Sequence, residues 1–248
     1  MPHCHLGAVA PRATRILPHV PRPTPLFAEP SFAVWCTEGS TAHPGPKLWS
    51  AWQIIGANLW PAMISEARWW SDASTERCVW ASCAAAAFLC GLGLRAEVVS
   101  AGLQVYLAGP GGITAPGLSL GHPDPSTGHP GLHNVVLISE GRRRWLLETS
   151  VWQTHRSRFG DLPDLMLAEV PPQTPGLGLF RQHFERFGAE FVAAVTDARP
   201  GGAVGLGWGL MRARTEWRTG PDARPERARA VARKLEAIRA GRARLVPV

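Results

Sequence analysis

Two short runs in the middle of the chain constrain its fold more than any other feature. His133-Asn134-Val135-Val136-Leu137-Ile138 is near-continuously apolar, Glu140-Gly141 is a turn signal, and Arg144-Trp145-Leu146-Leu147-Glu148 is a second run of strand character. Apolar runs of this length around a glycine-bearing turn predict an antiparallel hairpin. The segments before it predict what covers it. Leu48, Trp52, Ile55, Leu59 and Met63 recur at intervals of three or four, as one buried helical face requires, although Pro61 predicts a kink or a split. Ser71-Asp72-Ala73-Ser74-Thr75 reads as a cap. A second helix then opens at Glu76, runs through Cys78, Trp80, Cys83, the alanines 84–87, Phe88, Leu89 and Leu92, and ends at Gly91 or Gly93. Residues 96–107 read as a strand. The order helix, helix, strand, hairpin predicts an α+β fold in which a helix packs on an antiparallel sheet.

The rest of the chain is less regular. The first 46 residues hold nine of the 23 prolines and read as a mostly irregular extension. Residues 108–132, rich in Gly and Pro, read as a long loop, and a loop of that length inside a domain is more often functional than filler. Residues 180–195 look helical, 201–209 look like a loop, and 227–239 form an amphipathic helix with Ala228, Val231, Leu235 and Ile238 on one side. The expected organisation is an extension over 1–46, a domain over 47–200, and a loop with a basic helix over 201–248.

Composition removes several classes. The 248 residues suffice for a sizeable core, and 18% charged residues, below the roughly 25% of an average soluble protein, exclude wholesale disorder. Gly 26 and Pro 23 together make about a fifth of the chain, too many for a helical bundle with short connections. No run approaches the ~18 apolar residues that span a bilayer, and no secretory leader is recognisable, so a soluble cytoplasmic protein without membrane partners is expected. The five cysteines include no C-x-x-C pair, and Cys78, Cys83 and Cys90 are five and seven residues apart, which argues against a disulfide scaffold and a structural zinc site. The formal charge of +7 suggests an anionic partner at first sight, but five of those seven charges lie in the last 28 residues. Without interleaved aromatic residues, that tail is read as a docked helix with solvated arginines; nucleic-acid binding is the lesser alternative.

The chemistry concentrates on three residues. Cys78 lies in the first turn of a helix, where unpaired N–H groups and the dipole favour a thiolate, beside Arg77 and with expected access to solvent. Cys83 and Cys90 share a deeper face and read as small core residues. A nucleophilic thiol needs an imidazole to take its proton and a third group to orient that imidazole. His133 opens one hairpin strand and Glu148 closes the other. Centring the turn on Glu140-Gly141 pairs residues whose numbers add up to 281, which sets His133 opposite Glu148. Other constellations are weaker. His122, Asp124, His129 and His133 could be assembled into a metal site, but the first three sit in a Gly/Pro-rich loop and are read as exposed loop residues, so neither a metal nor a cofactor is expected. Gly109-Pro110-Gly111-Gly112 lacks the Lys-Ser/Thr pair of a phosphate cradle, and Trp69-Trp70 reads as core packing ahead of substrate stacking.

The stretch from Cys78 through the alanine-rich helix to Gly93-Leu94-Arg95-Ala96-Glu97-Val98-Val99-Ser100-Ala101-Gly102 resembles the core of the transglutaminase-like superfamily. In that family a nucleophilic Cys opens a helix, and a Gly-Ile-Pro-Ala-Arg-Val-Val-x-Gly stretch follows about fifteen residues later, as Gly93 follows Cys78 here. The family's His strand and its Trp-x-x-x-Asp-x-Thr segment are echoed by His133 and by Trp145-Leu146-Leu147-Glu148-Thr149-Ser150. The likeness spans about 75 of 248 residues. It departs from the family pattern at Glu148 (usually Asp), Val135 (usually Trp), Arg95 and Glu97. The resemblance implies a papain-like fold and a triad of Cys78, His133 and Glu148. It further implies a thiol peptidase, amidase or acyltransferase that acts on peptide or protein amides without a cofactor. Its alternative is a catalytically inactive member serving as a peptide-binding or maturation partner.

Overall fold

A computed structural model describes residues 32–35, 43–66, 77–109, 112–120, 133–150, 165–170, 190–195, 203–212, 215, 218 and 225–242. The chain is an α+β protein built on one mixed, largely antiparallel sheet. Its strands are β1 (Phe32–Trp35), β2 (Arg95–Gly109), β3 (Gly112–Leu120), β4 (His133–Glu140), β5 (Arg143–Glu148), β6 (Leu165–Val170), β7 (Glu190–Val195) and β8 (Ala203–Met211). The helices are α1 (Pro46–Glu66), α2 (Arg77–Gly91) and α3 (Pro225–Arg239). The strand order is β1-β6-β5-β4-β2-β8-β7, with β3 paired to β2 off this path. Among the described residues, the β1–β6 pair is parallel and the other pairs are antiparallel.

The helices cover one face. Leu48, Trp52, Ile55, Leu59 and Met63 of α1, Ala81, Ala85, Phe88 and Leu89 of α2, and Val231 and Leu235 of α3 pack with Val136, Ile138, Trp145, Leu147, Leu165 and Leu167 in one core. These sheet residues alternate with His133, Val135, Leu137, Leu146, Glu148, Met166 and Ala168, which are equally buried and follow the opposite alternation. The ends of α2 and α3 are built alike. Leu94 N–H bonds the Leu89 carbonyl (3.0 Å) and Gly93 N–H that of Cys90 (2.8 Å), with Gly93 at φ +73, the left-handed position that glycine takes without strain. Gly241 closes α3 in the same way, with φ +67.

Several expectations are corrected. Pro61 neither splits α1 nor ends it, because the helix runs unbroken to Glu66; burial of five large side chains of its apolar face offsets a cost of about 3 kcal/mol for an interior proline. Of the loop expected over 108–132, residues 108–109 and 112–120 are strand, and Pro116 is accommodated because, among the described residues, β3 pairs with β2 alone and irregular register flanks the site. Residues 121–132 lie outside the described residues. The segment 201–209, read as a loop, contains most of β8, which pairs with β2 along nine residue pairs. Residues 190–195, read as helical, are β7. The extension over 1–46 contributes strand β1. Beyond residue 200, β8 lies within the sheet and α3 within the helix-side core, continuous with the elements before them. No helix among the described residues is long and apolar enough to cross a membrane.

Candidate active site

The hairpin forms, with a different register. Gly141 at φ +61 and Arg142 make the two-residue turn, so Glu140 pairs with Arg143 and paired residue numbers sum to 283. The expected pairing of His133 with Glu148 is therefore corrected. Continued by a few residues, the register sets Glu148 beside Val135 and His133 beside Ser150. The offset is two, not one, so both side chains keep a common face and meet on the diagonal. His133 Nε2 lies 2.7 Å from Glu148 Oε2, and the two side chains are 2% and 0% exposed.

Helix α2 brings Cys78 to the same place. One turn further along the helix, Ser82 Oγ donates to the Asn134 carbonyl (2.9 Å) and lies 3.2 Å from Thr149 Oγ1, which seats the helix start over the beginning of β4 and the end of β5. Cys78 shares a side-chain hydrogen bond with His133. With Nε2 committed to Glu148, Nδ1 is the ring nitrogen left for the thiol. Cys78, His133 and Glu148, the three residues singled out in the sequence, thus form one contiguous cluster. Access to Cys78 is corrected: it is 2% exposed, whereas Cys83 is half-buried and Cys90 exposed. Burial, and secondarily the nearby Cys78, push the Cys83 thiol up to about 11, which leaves it inert at neutral pH.

The charges are arranged to separate. Burial alone would lower the proton affinity of His133, but the Glu148 carboxylate and the hydrogen bonds with Cys78 and Glu148 outweigh it, and its pKa is pushed up to about 10. Burial alone would raise that of Glu148, but His133, the Trp208 indole and the Ser150 backbone hold its carboxyl below the usual range. Oε1 accepts from Ser150 N–H (2.9 Å) and Ser150 Oγ (3.1 Å), while Oε2 accepts from His133 and from Trp208 Nε1 (3.0 Å). An ionised imidazole is thereby held between a carboxylate fully hydrogen-bonded by the protein and the Cys78 sulfur, an arrangement suited to nucleophilic catalysis.

Trp208 and the clamping role of Ser150 were missed in the sequence. A signal existed, because Gly205-Leu206-Gly207-Trp208-Gly209-Leu210 alternates with period two, as a strand does, yet its glycines read as loop. Asn134 is also buried at 0% exposure, and neither atom of its carboxamide has a hydrogen-bond partner. The cap over 71–75, Trp69-Trp70, and the loop residues His122, Asp124 and His129 lie outside the described residues. Among the described residues no group of three or more His, Cys, Asp or Glu side chains could hold a metal ion. No protein-family model matches the chain, and neither does a curated protein or a solved structure.

Proposed function

We propose that the chain is a thiol-dependent amide or peptide hydrolase or acyltransferase of transglutaminase-like, papain-like architecture, with Cys78 as nucleophile, His133 as proton carrier and Glu148 as the orienting acid. The observation that carries this reading is the 2.7 Å contact of His133 Nε2 with Glu148 Oε2 on the ring that also hydrogen-bonds Cys78. In the resting site the Cys78 proton resides on His133, and Glu148 balances the imidazolium. The thiolate attacks the carbonyl carbon of an amide, and backbone N–H groups at the start of α2 stabilise the oxyanion. Collapse breaks the C–N bond; His133 gives its proton to the leaving amine and becomes neutral. It then takes a proton from water or an incoming amine, which attacks the thioester and releases Cys78. A high proton affinity at His133 favours the ion-paired resting state over the neutral pair.

The burial of all three groups favours a second reading, a non-catalytic member of the same fold in which they form a structural polar network and the protein binds a peptide or maturation partner. Acyl-enzyme trapping separates the two. The full chain is incubated with a panel of N-acylated peptide thioesters and p-nitroanilides, and the adduct is located by fragmentation mass spectrometry. The expected result is an acyl adduct confined to Cys78, discharged by water or added amine and lost in Cys78→Ala. Adducts on Cys90 in preference to Cys78, with no turnover, would favour the second reading.

A further inference from the structure

We propose that Trp208 is a positioning residue of this site: its indole N–H holds Glu148 Oε2 in the orientation that grips His133. The inference rests on the reading of Cys78, His133 and Glu148 as a working centre. Glu148 carries one more rotatable bond than an aspartate, so its carboxylate needs more than His133 to fix it. Ser150, two residues on, anchors Oε1 through its own N–H and hydroxyl. Oε2 is anchored from far away. Trp208 stands on β8, and β2 and β4 lie between β8 and β5 in the sheet, a flat separation of roughly 14 Å at about 4.8 Å per strand. The 3.0 Å bond therefore requires the sheet to curl, with the site on its concave side.

The choice of residue matters chemically. Indole is a donor only, and unlike Ser, Tyr or His it neither accepts a hydrogen bond nor titrates in the range where proteins are folded. It therefore stabilises the carboxylate over the carboxylic acid at every working pH and opposes transfer of the His133 proton to Glu148. The bond is not a by-product of burying tryptophan in this protein. Trp145, also 0% exposed, leaves its indole N–H without a hydrogen-bond partner. Trp208, by contrast, delivers its N–H to an ionised carboxylate.

The test uses the full chain and two readouts that need no substrate. Site-resolved alkylation of Cys78 by iodoacetamide is followed from pH 2.5 to 9 in the parent and in Trp208→Phe, which keeps an aromatic ring and removes the N–H. The acid limb, where Glu148 protonates, is expected to move up by about one pH unit or more, the size of one lost charge-assisted hydrogen bond. In a Glu148→Gln background the same substitution is expected to change the Cys78 rate less than about twofold, since the group it acts on is gone. An unmoved limb, or an equal effect in both backgrounds, overturns the proposal. Should Trp208→Phe fail to fold, the assigned indole ¹H–¹⁵N resonance of Trp208 answers the question in the unsubstituted protein. It is expected to titrate with the acid limb and to shift in Glu148→Gln; a resonance indifferent to both overturns the proposal. Ordinary thiol behaviour at Cys78, with the indole resonance still tied to Glu148, would instead defeat the catalytic reading and leave the clamp standing.

Discussion

His133 and Asn134 are consecutive residues of β4, 2% and 0% exposed, and they illustrate two fates of a polar group in a core. His133 is charged and has Glu148 and Cys78 as partners; the carboxylate it meets is in turn bonded by Ser150 and Trp208. Asn134 is neutral, and its carboxamide has no hydrogen-bond partner, although Ser82 bonds its backbone carbonyl. The pleat explains how this is possible, since neighbouring positions project to opposite faces and meet different company. A complete network makes a buried charge tenable, whereas an incomplete one taxes stability even for an uncharged group.

Removing the carboxylate breaks the complete side of this comparison. Glu148→Ala leaves the imidazolium buried without its counter-charge and should cost about 3–5 kcal/mol of unfolding free energy in urea melts. A loss below about 1 kcal/mol would mean that the network contributes little to holding the fold. The pH dependence of stability probes the same charges without mutation. Because His133 is raised to about 10, its contribution is fully present below the ordinary histidine range and is lost as pH rises through about 10. Because Glu148 is lowered, its contribution is present above the ordinary carboxylate range and is lost as pH falls below it. Urea midpoints at a series of pH values should therefore peak on the mildly acidic side of neutrality and fall towards both pH 3 and pH 10. A midpoint that rises steadily into the alkaline range would contradict the charged pair. The smallest effect is expected on the incomplete side. Asn134→Leu replaces an unpaired carboxamide by an apolar group of similar size and should stabilise the protein by about 1–2 kcal/mol in a thermal or urea melt. Destabilisation would mean that Asn134 has a partner in solution.

Legibility followed the same division between local and distant causes. The helix bearing Cys78, the hairpin bearing His133 and Glu148, and the amphipathic face of α3 could be read because each depends on periodicity and turn chemistry within a short window. The turn itself was misplaced by one residue, since Gly141 and not Glu140 opens the two-residue loop. That doubles into a two-residue change of register and so preserves the faces, which is why the site survived the error. What could not be read was set by long-range pairing. The glycines 205, 207 and 209 suggest a loop until β2 is known to lie alongside them, and Gly209 pairs with Gly102 in that interior position. Pro61 and Pro116 break rules of local propensity and are tolerated by burial and by the irregular β2–β3 register respectively. Nothing in the sequence pairs Trp208 with Glu148, because their meeting depends on the curl of the whole sheet.

The central claim is that Cys78, His133 and Glu148 behave as one coupled charged unit. Its most direct test is the rate of Cys78 alkylation by iodoacetamide at pH 6.0 and pH 8.5, resolved by fragmentation from that of the exposed Cys90 in the same protein sample. An ordinary thiol loses reactivity on the order of a hundredfold across that interval, and free N-acetylcysteine alkylated alongside supplies this standard. The account predicts that Cys78 loses less than about threefold, and that His133→Ala restores the hundredfold dependence. A decline of Cys78 in the unsubstituted protein that parallels that of free N-acetylcysteine would contradict it.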